Sequence, residues 1–329
     1  MTTTANRLAQ LLAGGGALSG PALAAELGVT RAAVWKAVRQ LREMGLAIRS
    51  DRATGYRLDA PVDLLSVDRI RSHLDPVAAG SLDALEVCWT LPSTSDYLLA
   101  QPGVAAGRAR ACLVEFQSGG RGRRGRRWLA PLGQALCLSV ATTFATTPPQ
   151  LHTLGLAAGV AVMRALQPFG VTGLGLKWPN DVLLNDGKLG GVLVDVRGDS
   201  GGPLQVVVGV GLNYQLSESV STAVSAGGGI RPAAIGPHVP ACSRNALAGA
   251  LVSELLRMFP EFARGGLAAF LPEWRRADAL NGRPITVRRD QETLVGTARG
   301  VAADGQLQLA TAAGTVALLT GDISIRPAG

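Results

Sequence analysis

Gly120-Arg121-Gly122-Arg123-Arg124-Gly125-Arg126-Arg127-Trp128 opens with the Gly-x-Gly-x-x-Gly spelling of a dinucleotide-binding βαβ unit. Its surroundings deny that fold. The fingerprint needs a helix directly after its glycines and an acidic residue about 20 positions on. Here Leu129-Ala130-Pro131-Leu132-Gly133 follows, and Val140 to Thr147 holds no carboxylate. A Walker loop fails at Gly187-Lys188 as well, because Leu189 follows the lysine and Val182 stands where the first glycine belongs. What the run offers instead is five guanidinium groups on a backbone loosened by glycine. That suits a loop that is loose when empty and folds over an anion when filled. A solvated basic loop and an RGG-like nucleic-acid contact remain open on these residues alone. Trp128, at the edge, either covers an apolar ligand or seats the loop on the core.

Upstream, residues 1–60 read as a winged helix-turn-helix. Leu8, Leu11 and Leu12 mark one helix face, stopped by Gly14-Gly15-Gly16. Pro21 to Leu27 forms a short second helix with proline in its first turn. After the Gly28-Val29 turn, Thr30 caps a third helix from Arg31 to about Met44 with the apolar stripe Val34, Val38 and Leu41. Leu46 to Leu58 then makes two short strands around Ala53-Thr54-Gly55. The third helix presents Arg31, Lys36, Arg39 and Arg42, and residues 1–60 hold eight basic against four acidic side chains, so the expected partner is duplex DNA. An amphipathic helix with a basic solvated face is the alternative. Asp59 to Ser66 reads as a linker.

From Val67 to about Leu280, apolar strand-like runs at Leu85 to Leu91, Ala135 to Val140 and Leu204 to Val210 alternate with helical stretches at Leu151 to Leu166 and Arg244 to Phe259. This is the pattern of a mixed α+β domain spanning 67–280. Ser225 to Pro240 reads as a surface loop. In 281–329, strand candidates at Ile285 to Arg288, Thr293 to Arg299, Gln306 to Ala310 and Thr315 to Leu319 suggest a small β-barrel.

The chain is 329 residues long and 47% hydrophobic, enough for one sizeable core with small appended domains. No apolar run is long enough to span a bilayer and the N-terminus lacks signal-peptide order, so a cytoplasmic protein without membrane contact is expected. Cys88, Cys112, Cys137 and Cys242 are widely spaced, as are His73, His152 and His238. That spacing suggests no disulfide framework and no metal site, and buried reduced thiols are expected. The net charge of +8 fits an anionic partner. Of the 32 basic residues only three are lysines, Lys36, Lys177 and Lys188. A lysine kept in so arginine-rich a chain hints at a site needing a compact point charge.

Glu115-Phe116-Gln117-Ser118-Gly119 leading into the Arg/Gly run, then Lys177-Trp178-Pro179-Asn180-Asp181, Gly187-Lys188-Leu189-Gly190-Gly191-Val192-Leu193 and Gly209-Val210-Gly211-Leu212-Asn213, stand in the order seen in biotin protein ligases. With Gly321-Asp322-Ile323-Ser324-Ile325-Arg326 near the end, the chain resembles that family over nearly its whole length. Its winged-helix start is similar to that of the subgroup that also represses the biotin operon. The resemblance implies a mixed-sheet α+β catalytic domain of the biotin/lipoate ligase type and an SH3-like C-terminal barrel. It implies two steps: ATP with Mg²⁺ converts biotin to biotinyl-5′-AMP, and a lysine of a biotin carboxyl carrier protein takes the biotinyl group. It further implies operator DNA as a partner and a homodimer formed on ligand binding.

The same resemblance assigns residues. Lys188, Arg121 and Asp181 take the catalytic roles, with Lys188 between the biotin carboxylate and the α-phosphate and Asp181 positioning the acceptor amine. Ser93, Thr94, Ser95, Gln117, Gly120, Arg121, Gly122, Arg123, Lys188, Gly190 and Gly191 would bind biotin. Arg123, Arg124, Trp128, Lys177, Asn180, Asn213 and Arg326 would bind ATP. Read without the resemblance, Ser93, Thr94 or Ser95 could be a helix cap, Asn180-Asp181 a simple turn and Lys177 a surface residue, while Gly209 and Gly211 could merely ease strand packing. Ser95 departs from the family, which commonly has Asn there. A lipoate ligase of related fold is the enzymatic rival. A biotin-sensing transcription factor without ligase activity is the other, and it would require loss of phosphate-binding residues, whereas Arg121, Arg123, Lys177 and Lys188 are all present.

Overall fold

The structure, a computed structural model, describes residues 3–198, 202–217, 221–222, 224, 230–239, 242–289, 292–319 and 324–327, with backbone only for 124, 289, 292 and 324–327. Helices α1 (Thr4–Ala13), α2 (Gly20–Leu27) and α3 (Arg31–Glu43) each begin at a hydroxyl cap: Thr3, Ser19 and Thr30 accept from the backbone N–H groups of Asn6, Ala22 and Ala33. Each cap is worth about 1 kcal/mol. Strands β1 (Ile48–Asp51) and β2 (Gly55–Leu58) pair antiparallel as the wing. Its turn is held by the Asp51 carboxylate, which accepts from the N–H groups of Thr54 and Ala53 and is kept below the usual carboxylate range by them. Leu8, Leu12, Leu23, Val34, Val38 and Leu41 form a separate small core.

That core does not close on itself. Leu132, fully buried, completes it from the segment that follows the Arg/Gly run, and its N–H donates to the Met44 carbonyl at 2.9 Å. Gln134 donates its amide to the Gly45 carbonyl at 2.9 Å and accepts from the Ser217 N–H at 2.9 Å. The end of α3 is thereby tied to the loop after the last central strand.

The linker is strapped down rather than loose. α4 (Val67–Arg71) and α5 (Pro76–Ala79) follow it. Arg244, with no exposed surface, pairs with Glu115 at 3.0 Å and donates to the Asp63 and Ala135 carbonyls. The Leu65 N–H donates to the same Glu115 carboxylate. Asn245 donates to the Asp63 side chain and the Leu64 carbonyl.

The central sheet has seven strands: β3 (Leu82–Leu91), β4 (Ala109–Gln117), β5 (Ala135–Phe144), β6 (Leu174–Lys177), β7 (Asp181–Leu184), β8 (Gly187–Arg197) and β9 (Leu204–Asn213). Their order is β3-β4-β5-β9-β8-β7-β6, with β3 and β4 parallel and every other pair antiparallel. Alternation along the strands separates two faces. Ala111, Leu113, Leu138, Val140, Val206, Val208 and Val210 point into the main core, against α7 (Leu154–Leu166) and α8 (Arg244–Gly265). Sequence reasoning ended α8 at Phe259, ahead of Pro260. The helix instead runs on through the proline, and burial of Phe259 and Phe262 compensates the backbone hydrogen bond that proline cannot make.

After α9 (Leu271–Ala277), strands β10 (Pro284–Arg289), β11 (Glu292–Val301), β12 (Leu307–Thr311), β13 (Gly314–Leu318) and β14 (Ser324–Pro327) pair antiparallel in the order β13-β12-β11-β10-β14. The expected barrel is not closed: among the described residues β13 and β14 remain at opposite edges, and all four residues of β14 pair with β10. Ile285, Val287, Ala298 and Leu307 nevertheless join the main core, and Trp178 donates its indole N–H to the Gly305 carbonyl at 2.9 Å.

Candidate active site

The sheet face opposite α7 and α8 is hollow because its inward positions are small. Gly209 and Gly211 on β9, Cys137 on β5 and Gly191 on β8 border a cavity of about 890 Å³, and Ser139 on β5 touches the hydroxyls of two of its wall residues, Thr94 and Ser95. A Cβ on Gly211 would lie 2.8 Å from the Trp128 indole, and one on Gly209 would lie 2.6 Å from the Ser95 hydroxyl. These glycines therefore seat the cavity's cover and one of its wall helices. Burial pushes the Cys137 thiol up to about 12, so it is an apolar wall group and no nucleophile.

One end of the cavity is a cluster of hydroxyls and an amide. Ser93 caps α6 (Thr94–Leu99) by accepting from the Asp96 N–H, which places Thr94 and Ser95 in the first turn, directed at β5. The Gln117 side-chain oxygen accepts from the Thr94 N–H at 3.1 Å. The Ser139 hydroxyl lies 2.7 Å from that of Thr94 and 3.0 Å from that of Ser95. Ser93, Thr94, Ser95 and Ser139 are all buried. Ser139 escaped sequence reasoning. Its one signal is a hydroxyl inside the apolar run Ala135 to Val140, at a position facing away from the main core.

The other end is charged. Lys188 opens β8 and extends its ammonium to the Asp181 carboxylate at 2.6 Å; Lys177, at the end of β6, lies 3.9 Å from the same carboxylate. Lys177 is buried, not a surface residue. Register explains the meeting: Lys177 pairs with Asp181 across β6–β7, and a bulge between β7 and β8 sets Lys188 opposite Leu183. Asn180 donates to the Val192 carbonyl at 2.8 Å, stitching its turn to β8. Asn213 donates to the Lys188 and Ala233 carbonyls at 3.2 and 2.9 Å, and the Lys188 N–H donates to Arg231. Asn213 thus orients the backbone that carries Lys188, a task its sequence position did not reveal.

The Arg/Gly run forms a short hairpin over the opening. Arg121 bridges to Arg127 and Gly122 donates to the Arg126 carbonyl at 2.7 Å. Arg121, Gly122, Arg123 and Trp128 border the cavity. The Arg121 guanidinium reaches Asp96 at 2.5 Å and Asp195 at 3.5 Å. Burial raises the pKa of Asp195, and Arg121 opposes that rise. Gly120 and Gly190 do not border the cavity: a Cβ on Gly120 would collide with the Trp128 carbonyl, and one on Gly190 with the backbone of β9. The side chains of Arg124 and Arg326 lie outside the described residues, as do 225–229 and 240 of the loop expected at 225–240 and Gly321 to Ile323 of the last motif. From the C-terminal sheet, Arg283 borders the mouth and pairs with Asp186 at 2.8 Å.

Outside this cavity, α3 exposes Arg31, Lys36, Arg39 and Arg42. Arg42 is engaged within the fold, donating to the Ile48 carbonyl at 2.8 Å and so bracing the wing. Arg39 pairs with Glu43 at 3.2 Å.

Residues 90–213 match the biotin/lipoate A/B protein ligase family, 4–57 a helix-turn-helix domain and 281–326 the biotin protein ligase C-terminal domain. The bifunctional ligase/repressor BirA of Salmonella typhimurium is 34% identical over 99% of both chains. The chain belongs to this ligase/repressor family. The Escherichia coli BirA is 34% identical over 98% of this chain and 97% of its own length. In fold, a biotin protein ligase from Aquifex aeolicus solved in complex with biotin and ATP superposes with a TM-score of 0.60 at 24% identity, covering 75% of this chain and 99% of that one. Among the described residues no helix is long and apolar enough to cross a membrane.

Proposed function

We propose that the chain activates biotin with ATP, forming biotinyl-5′-adenylate and pyrophosphate, and then transfers the biotinyl group to a lysine of a biotin carboxyl carrier protein. The observation that carries this is Lys188, 2.6 Å from Asp181 in a cavity with a hydroxyl-and-amide end and a cationic mouth. Biotin combines a ureido ring, an apolar tail and a carboxylate, and needs such a combination of partners. The Thr94, Ser95, Ser139 and Gln117 cluster suits the ureido group, and Trp128 over Gly211 suits the apolar body.

In the first step the biotin carboxylate oxygen attacks the α-phosphorus and pyrophosphate leaves. Two anions must approach each other, and Lys188 offsets their repulsion at the point of attack while Arg121, Arg123 and Lys177 take the phosphate charge. The hairpin and Trp128 shield the mixed anhydride from water. In the second step a neutral amine attacks the biotinyl carbonyl carbon, AMP leaves and the amine gives up a proton. Asp181 orients that amine. The donor set suits a magnesium ion that arrives on the nucleotide. Asp181 and Asn180 are the residues that would hold it, and it would supply counter-charge to the triphosphate.

The winged helix makes the same chain a biotin-responsive repressor that binds operator DNA, with the adenylate as corepressor and a homodimer as the DNA-binding form, in the cytoplasm. Biotin-dependent exchange of pyrophosphate into ATP tests the first step. Exchange that responds to lipoate and ignores biotin would overturn the assignment.

A further inference from the structure

On α3, the side chain that stands out is apolar. Trp35 keeps 57% of its surface exposed, on a helix whose apolar stripe Val34, Val38 and Leu41 is buried. The exposed part of the indole is apolar surface that gains by leaving water when a partner covers it. Trp35 occupies one row with Arg31, Arg39 and Arg42, at helical spacings of four, four and three. It sits in the N-terminal half of α3, the part of a recognition helix that reaches base edges. Ala32, one turn before Lys36 and also exposed, leaves room there for close approach.

The surroundings of the indole select its partner. The Arg39 guanidinium lies 5.7 Å from the ring centroid and is also held by Glu43. Arg31 and Lys36 extend the basic surface on both sides. A basic rim around an apolar centre complements an anionic partner that offers an isolated apolar group. The major groove of duplex DNA is such a surface: phosphates border it, and its one apolar feature is the C5-methyl of thymine.

We infer that Trp35 reads a thymine methyl in the operator, with Arg39 held beside it for the neighbouring base. This rests on the DNA-binding reading above and names the residue and base group through which sequence is chosen. The basic residues set affinity for any duplex. Trp35 makes one position count.

The test uses the full chain saturated with biotin and ATP, and duplexes that the wild type selects from a randomised pool. Each thymine of the selected site is replaced in turn by uracil, which removes only the methyl group. At one thymine per half-site, uracil weakens wild-type binding about fourfold, the loss of one buried methyl. Trp35→Ala binds both versions of that position alike, Trp35→Phe keeps part of the discrimination, and both variants form adenylate at the wild-type rate. Uracil losses identical in wild type and Trp35→Ala at every position overturn the inference and leave DNA binding standing. Such a result with impaired self-association would make Trp35 a protein contact. A wild type that selects no sequence overturns the inference and the DNA-binding reading together.

Discussion

Along β9, Val206, Val208, Val210 and Leu212 pack beneath α7 and α8, while Gly209, Gly211 and Asn213 between them face the cavity. β5 divides the same way, with Leu136, Leu138 and Val140 on one side and Cys137 and Ser139 on the other. One set of strands thus supplies two surfaces of opposite character. The packed face supplies most of the apolar burial, so the other face can hold glycines, hydroxyls and two lysines without the sheet giving way. The packed face should answer substitution in stability, and the hollow face in activity.

The largest effect is expected from Arg244→Leu. It strands the Glu115 carboxylate beneath the packed face and should cost about 3–5 kcal/mol in urea denaturation while leaving the turnover of folded molecules intact. Lys188→Ala is its mirror image on the hollow face. Pyrophosphate exchange should fall by about 10²–10³-fold with little change in melting temperature. A large loss of stability there would break the division. Gly211→Ala inserts a methyl group where the Trp128 indole lies and should raise the KM for biotin by about tenfold, more than it lowers stability. Ser139→Ala leaves the Thr94 and Ser95 hydroxyls without their shared partner, and biotin should bind about fivefold more weakly by calorimetry.

The smallest effect lies at the edge of the packed face, where the Arg164 guanidinium, hydrogen-bonded to Glu273, holds its carboxyl below the usual range. A depressed folded-state value means stability present above the unfolded value near 4.5 and lost as pH falls through the folded one. The partial exposure of Glu273 limits the effect to under about 1 kcal/mol. Denaturation of Glu273→Gln should differ from wild type at pH 7 and converge with it as the pH falls below the unfolded value and through the lowered folded one.

The winged helix was legible almost residue by residue, because Thr30, Gly28 and the Val34-Val38-Leu41 stripe are local signals that local geometry obeys. The central motifs were legible in identity and order. Their strand pairing was not, since the bulge at Leu189 and the turns at Asn180 and Asn185-Asp186 interrupt any period-2 pattern. Pro260 misled in the other direction, as tertiary burial outweighed a local breaker. Ser139 and Asn213 act through partners far away in sequence, and the hydrogen bond from Arg42 to the Ile48 carbonyl of the wing could not be read from the helix alone. Trp35, next to Val34 in the chain, did not enter the sequence reading, because the helical period that marks the buried stripe says nothing of what its neighbours meet.

The clasp that Asp181 places on Lys188 and Lys177 has one more consequence. A catalyst that manufactures an acylating agent endangers its own amines, and an adenylate that escapes transfer will modify whichever lysine it meets. This chain offers three, of which one lies on α3, outside the cavity lining, and the other two are engaged by a carboxylate inside it. Building the remaining positive charge from guanidinium groups lets the protein surround a reactive carbonyl with cations that do not compete with the carrier's lysine for the biotinyl group.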